Sequence, residues 1–404
     1  MVPSQAKETK NIVFIGASCA AMGCALHWRQ EPIEGYKMIL IDEKTHFNHV
    51  FAFPRASVIP GFEEELFVPY NNTFEGDDTK GQVIHARATS IHKDYVEIDR
   101  EVPGFGQKIE YAYLVYAAGT KIPEPGRFTV NTKEEGIEKL KQYQELIKEA
   151  EKPIIIGAGA VGLELASEIK EHYPEKTVTL LHSRNRYLPR YKVSMDVMIY
   201  NILKKHGVKQ VLGDRVILPP NGFPLEVKPI EVHTKGGNII HGDFAIMCIG
   251  MTPNNGLLET LSPKSIDQDT GFVKIKPTMQ IADDRFPHIF AAGDVTNHTD
   301  VKTGHYAWMQ GLAALTNIKK MIQGATQEEL EPYKSKDLAL IKLILGKKEA
   351  VMQTHVLGPL VAVGSWIAGR SIPENVYASA TWGWLNAPLE ELLAKKKKLS
   401  TISC

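Results

Sequence analysis

Two stretches of the chain share one order of apolar and polar positions. In the first, Ile12-Val13-Phe14-Ile15 is an unbroken apolar run that stops at Gly16 and passes into Ala17-Ser18-Cys19-Ala20-Ala21-Met22-Gly23. In the second, Ile154-Ile155-Ile156 stops at Gly157 and passes into Ala158-Gly159-Ala160-Val161-Gly162. An apolar run without alternation predicts a strand covered on both faces, the situation in a parallel sheet whose crossovers are helices. The small residues after each glycine predict a tight turn into a helix lying close on its strand. Each unit is followed by a further apolar strand, Lys37 to Asp42 and Thr177 to His182. Later runs from Tyr113 to Thr120, Phe244 to Met251 and Pro287 to Asp294 end in Gly119, Gly250 and Gly293-Asp294.

Such a strand–turn–helix unit is built to hold a pyrophosphate. The first glycine permits the turn, the second admits the phosphate to the backbone, and the third lets helix and strand touch. Freed amides and the helix dipole then hold the anion. Gly157, Gly159 and Gly162 fit this spacing fully; the first copy keeps Gly16 and Ala17 but has Ser18 and Ala21, with Ala20 between them, at the other two glycine places. The two second strands end differently. Asp42 offers a carboxylate to the hydroxyls of an adenosine ribose. The other strand ends His182-Ser183-Arg184-Asn185-Arg186, without an acid, so these arginines either suit a 2′-phosphate, admitting NADPH beside NADH, or are solvated loop residues. The order of the units implies a first nucleotide domain interrupted by a second and then resumed, with Asp294 beside the ribityl chain of FAD.

The expected fold is therefore α/β: two Rossmann-like dinucleotide domains, the second inserted in the first, followed by a small C-terminal α+β domain. We place the FAD domain at 1–130 and 268–330, the NAD(P)H domain at 131–267 and the C-terminal domain at 331–404. The apolar segment from Ala350 to Ile367, broken at Gly358-Pro359, predicts a strand hairpin that completes the flavin site and offers an interface. Trp366, Trp382 and Trp384 fall in this region, and the run Lys395 to Lys398 suits an anionic membrane surface or is a solvated tail.

Composition adds exclusions. The 404 residues carry 47 Lys+Arg against 47 Asp+Glu, a net charge of zero that removes the footprint of a general nucleic-acid binder. Four cysteines, at 19, 24, 248 and 404, are too scattered for a disulfide framework, and the 14 histidines show no metal-ligand spacing, so no metal is expected. Cys19 and Cys24 read as packing residues of the first turn and helix. Neither a secretory leader nor a transmembrane run is evident, and a cytoplasmic protein, peripheral on a membrane at most, is the expectation.

The chain resembles the pyridine nucleotide-disulfide oxidoreductase superfamily. Within it, Phe47 to Val58, Glu168 to Ser183 and Glu331-Pro332-Tyr333-Lys334 are similar to the apoptosis-inducing-factor-like, ferroptosis-suppressor-like branch, a neighbour of the type II NADH:quinone dehydrogenases. The resemblance implies that Arg55 and Val83 join the first glycine loop around FAD, that Glu164 faces the nicotinamide, and that Lys334 reaches the flavin edge. It further implies an FAD-dependent NAD(P)H oxidoreductase passing electrons to a quinone-type acceptor, with a homodimer and peripheral membrane contact among its expected associations. A reductase of a small redox protein and a slow-turnover redox-sensing signal protein are the alternatives. Ser335 stands where the family has proline, and Val2 where N-myristoylation needs glycine.

Overall fold

The computed structural model describes residues 9–335, 340–355, 359–370, 372–390 and 392–394. Strands β1 (Lys10–Ile15), β2 (Tyr36–Asp42), β3 (Gly81–His85) and β4 (Tyr113–Tyr116) form most of a first parallel sheet. A second parallel sheet is made by β5 (Pro153–Ile156), β6 (Thr179–His182), β7 (Lys209–Leu212) and β8 (Phe244–Met247), in the order β7-β6-β5-β8. Only then does β9 (Ile289–Ala291) return to the first sheet beside β4, completing the order β9-β4-β1-β2-β3. The second sheet thus lies, along the chain, inside the first. Residues 88–110 add a three-stranded antiparallel sheet that the apolar pattern did not announce, because its strands Ala88–Ile91, Tyr95–Val102 and Gly106–Glu110 carry few buried positions among polar, exposed ones.

The repeat read along the sequence is a repeat in space. Helix α1 (Cys19–Trp28) follows the first glycine turn, and Gly16 at φ +101° matches Gly157 at φ +105°. In both units the turn amide bonds back to the neighbouring strand, Gly16 N–H to Ile41 and Gly157 N–H to Leu181, each at 2.8 Å. A short helix, α2 (Phe53–Ala56), and a longer one, α3 (Lys133–Glu149), precede the second unit. The latter starts at a capping box in which Thr132 and Glu135 satisfy each other's backbone amides. Helix α4 (Ala160–His172) follows the second glycine turn and α5 (Gly304–Ile322) follows β9. Seven of the ten residues of α1 are buried, since it is wedged between its sheet and α5. The close approach needs small residues: a Cβ on Gly311 would lie 2.4 Å from the Ala20 carbonyl oxygen, and one on Gly23 would meet Trp308 at 2.7 Å. Ala20 and Ala21 are accordingly helix-packing residues, 5% and 0% exposed.

Beyond α5 the chain forms an antiparallel sheet of β10 (Ile341–Ile344), β11 (Ala350–His355) and β12 (Leu360–Val363), then α6 (Ala378–Trp384). The expected hairpin is present with one strand more than foreseen; Gly358 and the lysines at 395–398 lie outside the described residues. Among the described residues no helix is long and apolar enough to cross a membrane.

His49 fastens this C-terminal part. Its Nε2–H donates to the Val376 carbonyl at 2.8 Å, which leaves Nδ1 to accept from the Thr381 hydroxyl at 2.9 Å. Burial drives its pKa from 6.5 down to about 4. The neutral ring's contribution is therefore fully present above pH 6.5 and is lost as pH falls toward 4. That depression corresponds to at most about 3 kcal/mol. Acidification over that window should loosen α6, seen as a change in Trp382 emission. A His49→Gln protein should lack that pH step; an unchanged step would overturn the assignment.

Candidate functional site

The C-terminal ends of both parallel sheets carry helix N-termini, the place where an open α/β sheet binds ligands. Helices α1, α4 and α5 begin at Ser18, Gly159 and Thr303, and none of the three has a side chain capping its amides. Uncapped amides at a helix start are anion-binding donors.

In the first unit Asp42 ends β2 half-exposed. Its Oδ2 accepts from the Ala17 amide at 2.7 Å and its Oδ1 from the Lys44 amide at 2.8 Å. Burial raises its pKa, and these two amides oppose the rise. Tyr70 donates to the Ala17 carbonyl at 3.2 Å and fixes the loop from the other side. Ser18 is exposed at the place of the second glycine, while Val83 on β3 lines a surface cleft of about 540 Å³ with Tyr70, Thr45 and His85. Asp294 follows Gly293 past the end of β9, partly exposed; burial raises its pKa, and the charges of Arg127 and Lys302 lower it. Nearby, at the start of α5, the Thr303 hydroxyl is buried without a partner.

The second unit is built in parallel. Cβ atoms on Gly159 or Gly250 would meet nothing within 4 Å, whereas one on Gly162 would lie 1.9 Å from the Gly157 carbonyl oxygen. The middle glycine thus opens on free space and the last one is a helix–turn contact. Where Asp42 caps Ala17 in the first unit, His182 Nδ1 faces the corresponding Ala158 amide at 3.3 Å. Burial keeps this imidazole's pKa below its ordinary value, and the positive charge of Arg184 adds to the effect. Arg184 is exposed. Arg186 is turned inward instead, onto the Tyr191 carbonyl and toward Asp196.

Glu164, one turn into α4, is half-exposed, and its Oε1 accepts from the Ile344 amide of β10 at 3.2 Å. Burial pushes its carboxyl up to about 8; the negative Glu168 adds to the rise and Arg55 opposes it. Arg55, expected to join the loop around FAD, has its donors engaged within the protein. It is 3% exposed and bound to Glu168 at 2.8 Å, with further donations to the carbonyls of Gly346 at 2.8 Å and Pro373 at 3.2 Å. The short α2 turns the guanidinium into the protein, where its donors clamp α4 to the C-terminal strands. Lys334 is exposed, beside Tyr333, whose hydroxyl donates to Asp300 at 3.0 Å.

Lys44, Tyr70, Arg127, His182 and Thr303 escaped the sequence reading. Tyr70 and Arg127 sit in loops with no motif around them, but His182 carried a signal: it ends β6 at the position Asp42 holds in β2. The uncapped helix starts, the orphaned Thr303 hydroxyl and the open face of Gly159 fit two dinucleotides, FAD on the first unit and NAD(P)H on the second.

The family model for pyridine nucleotide-disulphide oxidoreductases matches residues 10–311. Fe-regulated protein 8 of Mycosarcoma maydis is 33% identical over 381 residues, covering 89% of this chain and 92% of that protein. Ferroptosis suppressor protein 1 of Homo sapiens is 26% identical over 380 residues, covering 92% and 95%. Among solved structures, the sulfide:quinone oxidoreductase of Aquifex aeolicus superposes with a TM-score of 0.69 at 19% identity, covering 94% of this chain and 92% of that one.

Proposed function

The chain belongs to the pyridine nucleotide-disulphide oxidoreductase family and is an NAD(P)H-dependent flavin oxidoreductase; from that premise we propose that it reduces a quinone-type acceptor. The observation that carries the choice is the state of the cysteines. Cys19, Cys24 and Cys248 are free, Cys24 is buried, and burial pushes the thiols of Cys19 and Cys248 up to about 11 and about 12. Among the described residues no pair of cysteines is joined, and thiols held this far from their thiolate form are poor members of a dithiol relay, which supports electrons leaving the flavin directly for a diffusible acceptor. The name of the Aquifex neighbour, a sulfide:quinone oxidoreductase, agrees with this reading.

Bound FAD would supply the two-electron carrier between nicotinamide and acceptor. The amides of α1 would bind its pyrophosphate, Asp42 would accept from the adenosine ribose, and Asp294 from the ribityl hydroxyls. The N-terminus of α5, with the Thr303 hydroxyl, would favour negative charge at the flavin's polar end. On the second unit the Gly157–Gly162 turn would hold the NAD(P)H pyrophosphate and Glu164 would orient the carboxamide. Lys334, already at the surface, would deliver protons to the reduced site. The exposed Trp366 (78%) and Ile367 (49%), with Arg370 4.9 Å from the indole ring, would rest on a membrane that holds the acceptor.

Anaerobic NADH should bleach the flavin band, and a soluble quinone should restore it faster than a disulfide does. Restoration by the disulfide at an equal rate would overturn the acceptor class. Because no carboxylate ends β6 and Arg184 is exposed there, NADPH should also serve. Arg184→Ala should lower kcat/KM for NADPH about three- to tenfold more than for NADH; equal losses would remove Arg184 from the 2′-phosphate.

A further inference from the structure

Three carboxylates on one face of α4, at successive turns, meet the C-terminal strands. Glu164 accepts from the Ile344 amide of β10 at 3.2 Å. Glu168 holds Arg55, which in turn donates to the Gly346 carbonyl, just past β10. Glu171 accepts from the Lys347 amide at 2.6 Å. The helix that begins at the nicotinamide-binding turn is thereby bonded, through its side chains, to the first strand of the C-terminal sheet and the turn after it.

The Ile344 amide points away from its own sheet. Among the described residues β10 is an edge strand, paired only with β11, and this amide is given to Glu164 instead of a ladder bond. One oxygen of Glu164 is thus fixed before any ligand arrives, and the Ile344 amide engages only that one. Burial raises its proton affinity and the Ile344 amide opposes the rise; the charges of Glu168 on its own helix and Arg55 from α2 then adjust it up and down, while Glu171 and Lys347 act on Glu168.

We infer that Arg55, Glu168 and the Ile344 amide are positioning residues for the nicotinamide: the C-terminal strands hold Glu164 in the geometry that receives the carboxamide, so their docking controls NAD(P)H affinity. The inference rests on the reading of Glu164 as the nicotinamide contact. Arg55 then serves the pyridine nucleotide rather than the flavin to which its neighbourhood in the sequence assigned it. Anything that lifts the C-terminal sheet from α4 would weaken nicotinamide binding without touching the FAD loop.

The test uses the flavin-loaded protein and NAD⁺ as probe, with the dissociation constant followed from pH 6 to 9.5 by flavin fluorescence and FAD content read from absorbance. Glu164→Gln tests the underlying reading and should flatten the profile. Glu168→Gln removes a negative neighbour and should move the midpoint down; Arg55→Met removes a positive one and should move it up, each by about half a unit or more. Ile344→Pro deletes one amide that makes no ladder bond, a substitution that edge strands accept, and should weaken NAD⁺ about three- to tenfold, the scale of one bond to a charged group. FAD content should stay at one per chain throughout. Opposite shifts from two partners of one ion pair are not expected of a merely structural contact. A Glu164→Gln protein with the parent profile would overturn both the reading and the inference. A flattened Glu164→Gln profile with unmoved midpoints in the other variants would overturn the inference alone, as would loss of FAD in Arg55→Met. Should Arg55→Met not fold, Glu168→Gln and Ile344→Pro decide between the same two outcomes.

Discussion

Purified Asp294→Ala protein will be nearly colourless. Asp294 stands at the end of β9, between the positive charges of Arg127 and Lys302, in a site that burial has already made costly for a carboxylate. Such a group is retained against its desolvation cost where something donates to it, and a polyol chain donates well. A hydrogen bond to a charged acceptor is worth about 1.5–3 kcal/mol, so its loss should weaken FAD roughly ten- to hundredfold. Removing the carboxylate also deprives two half-buried cations of their negative neighbour, which adds to the loss. Asp294→Asn keeps the shape and one acceptor and should recover part of the flavin. The measurement is the ratio of flavin to protein absorbance after reconstitution with excess FAD; a full flavin complement in Asp294→Ala would remove this residue from the site.

The second large effect is expected at Gly162, and it should spare the flavin entirely. A single methyl group there would sit 1.9 Å from the Gly157 carbonyl oxygen and 3.2 Å from Cys248. To restore ordinary contact, α4 must move off its turn by roughly 1.5 Å. That moves the amides proposed to hold the pyrophosphate and Glu164 with them, and a misplacement of about 1 Å in a binding frame can cost on the order of a hundredfold in rate. Gly162→Ala protein should therefore be yellow and stable enough to purify, at a cost of about 1–3 kcal/mol for the overpacked contact. Its flavin should be reduced by NADH about a hundred times more slowly than in the parent, while dithionite reduces it normally. Parent-like reduction by NADH would mean that α4 does not carry the nucleotide.

What could be read in advance was local. Each glycine turn is specified within a dozen consecutive residues, because an apolar strand, a turn and a close-packed helix start all leave marks on adjacent positions. Asp42 and Asp294 drew attention for the same reason, the one as the last residue of its strand and the other as the acid just past Gly293. The contacts that could not be read share another cause. Arg55 and His49 lie six residues apart in one stretch, yet their partners are Gly346, Pro373, Val376 and Thr381, far along the chain. No pattern within the stretch could announce them. Ala21 stood at the place of a phosphate-loop glycine and Ala20 beside it; both are small residues on α1, where Gly311 of α5 approaches the Ala20 carbonyl.

The late return of β9 also bears on how the polypeptide emerges from the ribosome. The inner sheet, β5 to β8, has all its strands once Met247 is out. The outer sheet does not: β4 exposes a bare edge until Ile289–Ala291 arrives, and α1 has no cover until α5 is made. Unpaired edges and uncovered apolar helices are where nascent chains aggregate. The inner sheet is therefore the first to have all its strands, while the sheet that would hold the yellow cofactor waits for a strand made more than forty residues later.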